Sequence, residues 1–549
     1  MSDKISRFLL LSLIFLTLFV TTTDDYLIIG LTGGLVCGFL IYLFWQKEIF
    51  FPSVLNGPAL IFIGYSLISL GTTANFHSTL LTILKFITYF LLFFVLQNIC
   101  SSDDKKKLEN FVFLILLIAV IRGSFQFYQS GAISMVPNNN IFSSFLNICI
   151  LISLNRLVDE RFIPGKPELL GRVLKLTLII LAMALVFFTL SRGGIISLLA
   201  GIIILFYLKK LKSIGWIIIS GLLIFSLIPL GNQQPLGKRM IARLKSDPNV
   251  WERIVLWQDV GKYIADRPLL GSGWGTFNDY YPQYKSLPGF KTAAYAHNEY
   301  LHLIAEGGGV GFALWLWLLA ILGFYLYKNR TSHPEYFAVF AAVLLQAGVD
   351  FNLHSYSVVI PLVFFAGLFL PKNEPVMLNK YLRWTLLVFI LPLFYLFFSL
   401  GWGFRECLTA VKYSRQNQAE QAFSQMKKAM LWDPVFALYH KELADFYRDR
   451  NDLKNYQNEL RLAISLEPRN VWYLRKFALF CSEYQEWNSA VDLFQRIILL
   501  APNAPMFRNE LADVYLAAGK PKEAQKELTV ALQLAPDNRL IKEKLRSIK

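Results

Sequence analysis

Six histidines and five cysteines are all that 549 residues hold of the side chains that most often bind metal or form disulfides. The cysteines (Cys37, Cys100, Cys149, Cys407, Cys481) stand far apart, with no Cys-x-x-Cys pair, which argues against a disulfide framework and a zinc site. Charge is also thin, at 17% of residues, and the long apolar runs hold almost none of it. With 55% hydrophobic residues and a mean hydropathy of +0.44, a soluble protein of this length is excluded. Acids are outnumbered, 38 against 54 Lys and Arg, for a net charge of +16. In so apolar a chain that excess belongs to cytoplasmic loops and lipid headgroups, so nucleic acid is not an expected partner.

About thirteen apolar runs approach the roughly 17–25 residues that a membrane span needs. They fall near 8–22, 26–45, 56–71, 79–98, 109–128, 139–156, 174–190, 193–208, 213–230, 309–327, 335–350, 356–370 and 381–403. The first resembles a signal peptide but lacks a small-x-small cleavage site, so it is expected to stay as an anchor. Alternate loops are basic: Lys47, Lys105 to Lys107, Arg156 to Arg172, Lys209 to Lys212, Lys328 with Arg330, and Lys372 to Arg383. The loops between them, such as TTANFHST and DFNLHSYS, have no Lys or Arg. The positive-inside rule then puts the N-terminus in the cytoplasm, and both the 231–296 stretch and everything after 403 outside.

The tail is polar and periodic. Pro434, Pro468, Pro502 and Pro536 are each 34 residues apart; so are Ala444, Ala478 and Ala512, and Ala422, Tyr456, Ala490 and Ala524. A 34-residue period with small residues where paired helices touch is the tetratricopeptide pattern, here about three and a half repeats closed by NRLIKEKLRSIK. Such arrays present a concave surface, so a protein partner is expected there. The fold expected is all-α: a polytopic bundle of about 12–13 spans over 1–403, then an α-solenoid over 404–549.

The outward side holds the chemistry. Arg192 sits in LSRGG, where Gly193 and Gly194 permit a tight turn and a close backbone approach. The simpler reading of such an arginine is a snorkelling interface residue, and that reading is preferred for Lys85 and Arg122. The outer loop carries nine Lys or Arg against five acids, where no basic excess is expected. Within it, 249–265 reads as a helix with Trp251, Ile254, Trp257, Val260 and Ile264 on one stripe and Arg253 beside them. PLLGSGWGTF follows; it is no dinucleotide fingerprint, since the last glycine and a preceding strand are missing. AHNEYLH is no zinc motif, because His297 and His302 are five apart and fall on different helix faces.

Taken together, SRGG, WERIVLWQDVGKYIADRPLLGSGWGTF, AHNEYLHLIAEGGGVGF and VDFNLH resemble the Wzy-C, or O-antigen ligase, family in order and spacing, over roughly residues 180–370. That family is similar to C-type glycosyltransferases. The resemblance implies glycan transfer from undecaprenyl diphosphate to an acceptor hydroxyl at the outer face of the bacterial inner membrane, with no metal or other cofactor. It also assigns His297 as the essential histidine, Arg192 and Arg253 as the essential arginines, and Asp350 as a recurring acid. Gly193, Gly273, Asn298 and Glu299 are expected in support. The chemistry suits: arginine forks grip diphosphate oxygens, and a neutral imidazole takes the acceptor proton. A single displacement by the hydroxyl implies inversion at the anomeric carbon. The acceptor stays open between lipid A core (a ligase), a growing glycan (a polymerase) and a protein hydroxyl (an oligosaccharyltransferase). A lipid-linked oligosaccharide flippase or exporter is the alternative from another class, but it would need charge deep in many spans.

Overall fold

The computed structural model describes residues 25–44, 48–52, 55–99, 104–130, 138–159, 168–211, 218, 220–221, 248–289 and 293–548. Apolar runs become helices because a backbone in lipid must bond to itself. Seven come first: α1 (Asp25–Phe44), α2 (Asn56–Ile68), α3 (Phe76–Ile99), α4 (Asp104–Ser130), α5 (Asn139–Asp159), α6 (Glu168–Phe188) and α7 (Arg192–Leu208). Two helices of the outer loop follow, α8 (Pro248–Asp266) and α9 (Phe277–Tyr284). Then come α10 (Glu299–Lys328), α11 (Pro334–Ala347), α12 (Tyr356–Phe369) and α13 (Lys380–Arg415).

Five of these helices are long and apolar enough to cross a membrane, and six shorter apolar ones accompany them. Together they coincide with eleven of the expected runs. The run at 8–22 and nearly all of 213–230 lie outside the described residues. One short antiparallel ribbon, β1 (Glu48–Pro52) on β2 (Lys372–Met377), joins two loops of the basic set at one end of the bundle.

The bundle is organised around α5, which is buried on every side from Ile141 to Asn155. Polar side chains tie its neighbours to it. Asn147 Nδ2 donates to Gly194 O at 2.8 Å and to Ser197 Oγ at 2.9 Å, linking α5 to α7. Gln346 Nε2 donates to Asn140 O at 3.0 Å, linking α11 to α5. Ser197 Oγ donates to Gln346 Oε1 at 3.1 Å, closing the triangle. Such interhelical bonds contribute about 0.6 kcal/mol each on average, so their main effect here is to fix register. At α1 the backbone of α13 comes so near that a Cβ on Gly30 would lie 2.6 Å from Gly401 Cα.

Helix α13 runs unbroken for 36 residues, past residue 403 and into the repeats. Its far end pairs with α14 (Ala419–Trp432). Three more pairs follow: α15 (Ala437–Asp449) with α16 (Leu453–Leu466), α17 (Val471–Glu483) with α18 (Trp487–Leu500), and α19 (Pro505–Ala517) with α20 (Pro521–Leu534). The closing helix is α21 (Arg539–Ile548). The array therefore has four helix pairs, one starting further upstream than the prolines indicate. Ala410, 34 residues before Ala444, is fully buried like Ala444, Ala478 and Ala512. The apolar character of α13 hides that first repeat helix from a reading of the tail alone.

Candidate functional site

Three separate stretches meet a fourth, the 349–354 segment, at Val349 and Asp350 just past the end of α11. The first is the start of α7. Leu190 takes a left-handed φ of 54° to make the turn, and Ser191 Oγ caps the helix by accepting from Gly194 N. Gly193 and Gly194 are thus helical, and the turn is made before them. Their missing side chains serve packing: a Cβ on Gly193 would lie 2.9 Å from Val349 Cγ2, and one on Gly194 would lie 2.1 Å from Ser143 Oγ. That close approach sets Arg192, the first residue of α7, beside the Val349 turn.

The second stretch is α8, from which Arg253 Nη1 donates to Val349 O at 3.2 Å. The buried stripe of this helix is Leu256, Val260 and Tyr263, while Trp251 and Ile254 are exposed. It is therefore rotated from the stripe expected, because α8 packs on both α9 and α10.

The third stretch carries His297, in a left-handed conformation (φ 50°) immediately before α10. Its Nδ1 lies 3.7 Å from Asp350 Oδ1, and the Asp350 side chain is only 3% exposed. This Nδ1 is buried and has no hydrogen-bond partner among the described residues. Phe351 presents its ring edge-on to His297 at 5.0 Å, and Trp257 Nε1 holds the preceding Ala296 O at 3.0 Å. The imidazole thus turns one nitrogen toward a buried carboxylate without bonding to it. Base contacts of this length commonly tighten only when substrate is bound.

Asn298 and Glu299 turn away from His297 to other partners. Asn298 Oδ1 caps α10 by accepting from Leu301 N at 3.1 Å. Glu299, buried, pairs with His354 Nδ1 at 2.9 Å and so ties the start of α10 to the 349–354 segment, the fourth stretch. Gly273 sits at φ 103° within the outer-loop turn, where a Cβ would meet Thr73 Oγ1 at 2.9 Å. That turn grips the break in α10. Gly308 leaves helical geometry (φ 63°, ψ −177°), and the freed amides of Gly309 and Val310 bond to Pro268 O and Leu269 O. Glu306 then accepts from Gly275 N at 2.8 Å and Phe277 N at 2.9 Å, placing its carboxylate at the N-terminus of α9.

A cluster that sequence spacing missed lies behind His297. His302, Glu306 and His354 bring donor atoms within 4.8 Å of one another and, among the described residues, form a group that could hold a metal ion. Each already has protein partners: His302 Nδ1 accepts from Ala296 N, both Glu306 oxygens take backbone N–H groups, and His354 pairs with Glu299. His354 comes from the VDFNLH segment, about fifty residues away, so no local motif reveals the grouping. A cavity of about 240 Å³ opens beside it, walled by Phe62, Phe86, Trp274, Leu303, Trp315 and Leu362, with Lys85, Glu299 and His354 on its lining. Lys85 therefore faces a cavity, whereas Arg122 is exposed as a snorkelling residue would be.

Comparison with known proteins adds to this geometry. Residues 176–316 match the O-antigen ligase family, and residues 483–548 match the tetratricopeptide repeat. A putative polysaccharide ligase of Rickettsia bellii is 26% identical over 47% of this chain, and the chain spans 65% of that relative's length. Among solved structures, a Pseudomonas aeruginosa pilF is 21% identical, covering 27% of this chain and 68% of its own, at a TM-score of 0.24. A tetratricopeptide protein of Thermus thermophilus is 18% identical, covering 31% and 89%, at a TM-score of 0.21. The chain is a multi-pass membrane protein in which residues 176–316 are similar to the O-antigen ligase family, and a tetratricopeptide-repeat array follows.

Proposed function

We propose that this protein is a glycan transferase of the bacterial inner membrane. It moves saccharide from undecaprenyl diphosphate to an acceptor hydroxyl at the outer face, as an O-antigen ligase does. The observation that carries this reading is that the start of α7, Arg253 and His297 converge on Val349 and Asp350, with Gly193, the neighbour of Arg192, packed on Val349. His297 takes the acceptor hydroxyl proton through the nitrogen not facing Asp350. The acceptor oxygen bonds to the anomeric carbon as the bond to the diphosphate oxygen breaks, and the electron pair leaves with the diphosphate. Negative charge grows on that leaving group, and the two guanidinium groups stabilise it most when it is largest. Attack opposite the leaving group inverts the anomeric centre. The apolar cavity behind α10 suits the lipid part of the donor, with Lys85 along its lining. No step needs a metal, because imidazole and arginine supply the base and the charge stabilisation.

A strain lacking the protein tests this reading by mass spectrometry of its glycolipids. Lipid-linked polymer left unattached supports the ligase, and accumulated single repeat units support the polymerase. Transfer of lipid-linked glycan onto a protein that vanishes in the strain supports the oligosaccharyltransferase. An unchanged set of lipid-linked and transferred glycans ends the proposal.

A further inference from the structure

The repeat array does not hang free of the bundle. Three successive inter-repeat turns, beside Pro434, Pro468 and Pro502, touch the membrane domain at the same corner of the solenoid. Beside the first, Asp433 Oδ2 pairs with His77 Nε2 at 2.7 Å, both side chains nearly sealed from solvent, and the His77 ring stacks on Phe436 at 4.1 Å. Beside the second, Arg469 donates through Nε to Asp279 O at 3.1 Å and through Nη2 to Gln283 Oε1 at 2.7 Å. Its guanidinium also lies 4.0 Å from the centre of the Tyr280 ring. Beside the third, Asn503 O accepts from Gly289 N at 3.0 Å, and Asn503 Nδ2 donates to Lys285 O at 2.8 Å. Two of these turns hold α9 and the residues just after it.

What they hold is joined directly to the residues beside His297. Tyr280 shares one apolar cluster with Leu256, Val260, Phe277, Ala305 and Ala296, the last being the neighbour of His297. The first amides of α9 bond to Glu306 of α10, and Glu306 lies 3.3 Å from His302. The Phe277 ring lies 4.7 Å from the His302 ring. An outer-loop helix only two turns long has little stability of its own, so its position depends on what packs against it. On one side that is α8, with Tyr263 against Tyr280 and Tyr284, and α10; on the other it is the repeat array.

We infer that the repeat domain braces the reaction centre: Arg469 and the turn of Asn503 fix α9, and α9 in turn fixes the start of α10 and with it His297 just before that helix. Arg469 is then a positioning residue, 172 positions along the chain from the base it serves. This rests on the transfer reading above for its effect on rate, but its structural part stands independently of that reading.

The test uses the full-length protein with Arg469→Ala, Arg469→Lys and Asn503→Ala. Arg508→Ala serves as the control, because Arg508 pairs with Glu527 inside the array. Two quantities are read: kcat and KM with a lipid-linked donor, and hydrogen exchange over 277–289 and 293–306. Arg469→Ala is expected to lower kcat by about 10- to 100-fold with KM for the donor nearly unchanged, since misplacement by about 1 Å costs that order. Exchange in both segments should rise, Arg469→Lys should recover part of each effect, and Arg508→Ala should change neither. Unchanged exchange at 293–306 in both Arg469→Ala and Asn503→Ala overturns the brace. If exchange rises as expected but the wild type transfers no glycan, the transfer reading falls and the brace stands.

Discussion

His297 Nδ1 faces Asp350 Oδ1 across 3.7 Å, with the acid buried and the imidazole about one-third exposed. On the proposed reading the inward carboxylate orients the outward imidazole, which acts as the base. His297→Ala should lower transfer by about 10²–10⁴-fold, the usual worth of a general base, and leave membrane insertion intact. Asp350→Asn should be impaired as well, since the amide keeps the shape and loses the charge that stabilises an imidazolium. Steady-state transfer assays on purified protein decide this, and near-normal rates in His297→Ala would remove it from the chemistry.

The arginines should not tolerate lysine. Arg253 already spends one N–H on Val349 O, and its planar fork leaves the other donors in fixed directions. Lysine carries the charge without the fork, so Arg192→Lys and Arg253→Lys should each lower kcat substantially, with donor binding affected less. In the same assay a chelator should leave the rate unchanged, because His302, Glu306 and His354 all have protein partners. Activity lost to chelator and restored by a divalent ion would turn that cluster into a metal site.

Much of this was legible from residue pattern. Apolar runs mark the helices and the 34-residue step marks the solenoid, while Arg192, Arg253 and His297 come from the resemblance alone. The pattern was weaker wherever one segment does two jobs. In α13 the lipid-facing run masks a repeat helix, although Ala410 keeps the repeat register. In α10 the apolar run at 309–327 marks only the later part of a helix that starts at Glu299 and breaks at Gly308, where the outer loop supplies the missing backbone partners. The Glu299–His354 pair and the Arg469 contacts join residues far apart in sequence, and no periodicity encodes such meetings.

The brace should depend on pH. Burial raises the Asp279 carboxyl from its ordinary 3.8 to about 7, with the nearby Glu467 pushing the same way and Asn75 and Arg469 opposing. Glu306 also faces it, and His77 faces Glu467. A carboxyl raised in the docked state holds a proton that the undocked state has released. Its contribution is therefore full below about pH 4, declines as pH rises, and is gone above about 7. Protection at 277–289, corrected for the intrinsic pH dependence of amide exchange, should accordingly be greater at pH 5.5 than at pH 8, and Asp279→Asn should flatten that difference. The same slope in Asp279→Asn would exclude this carboxyl as its source.

The repeats also contain an internal control for their own stability. Asn417, Asn451, Gln485 and Gly519 follow one another at 34-residue steps, and all four take a left-handed φ, between 58° and 73°. Each stands just past the first helix of its pair, where the chain reverses and glycine or asparagine is favoured. Glutamine has no such preference, and a left-handed conformation costs an ordinary residue about 1–2 kcal/mol. Gln485→Gly should therefore stabilise the array by about 1 kcal/mol, and Gly519→Gln should destabilise it by a similar amount. Neither position touches the membrane domain through a described hydrogen bond, so transfer by both variants should stay near normal. Denaturant titration of the full-length protein in detergent, followed through far-ultraviolet circular dichroism, measures both changes. A lower midpoint for Gln485→Gly would mean that the glutamine side chain contributes more than the turn costs, and that the register argument fails at this repeat.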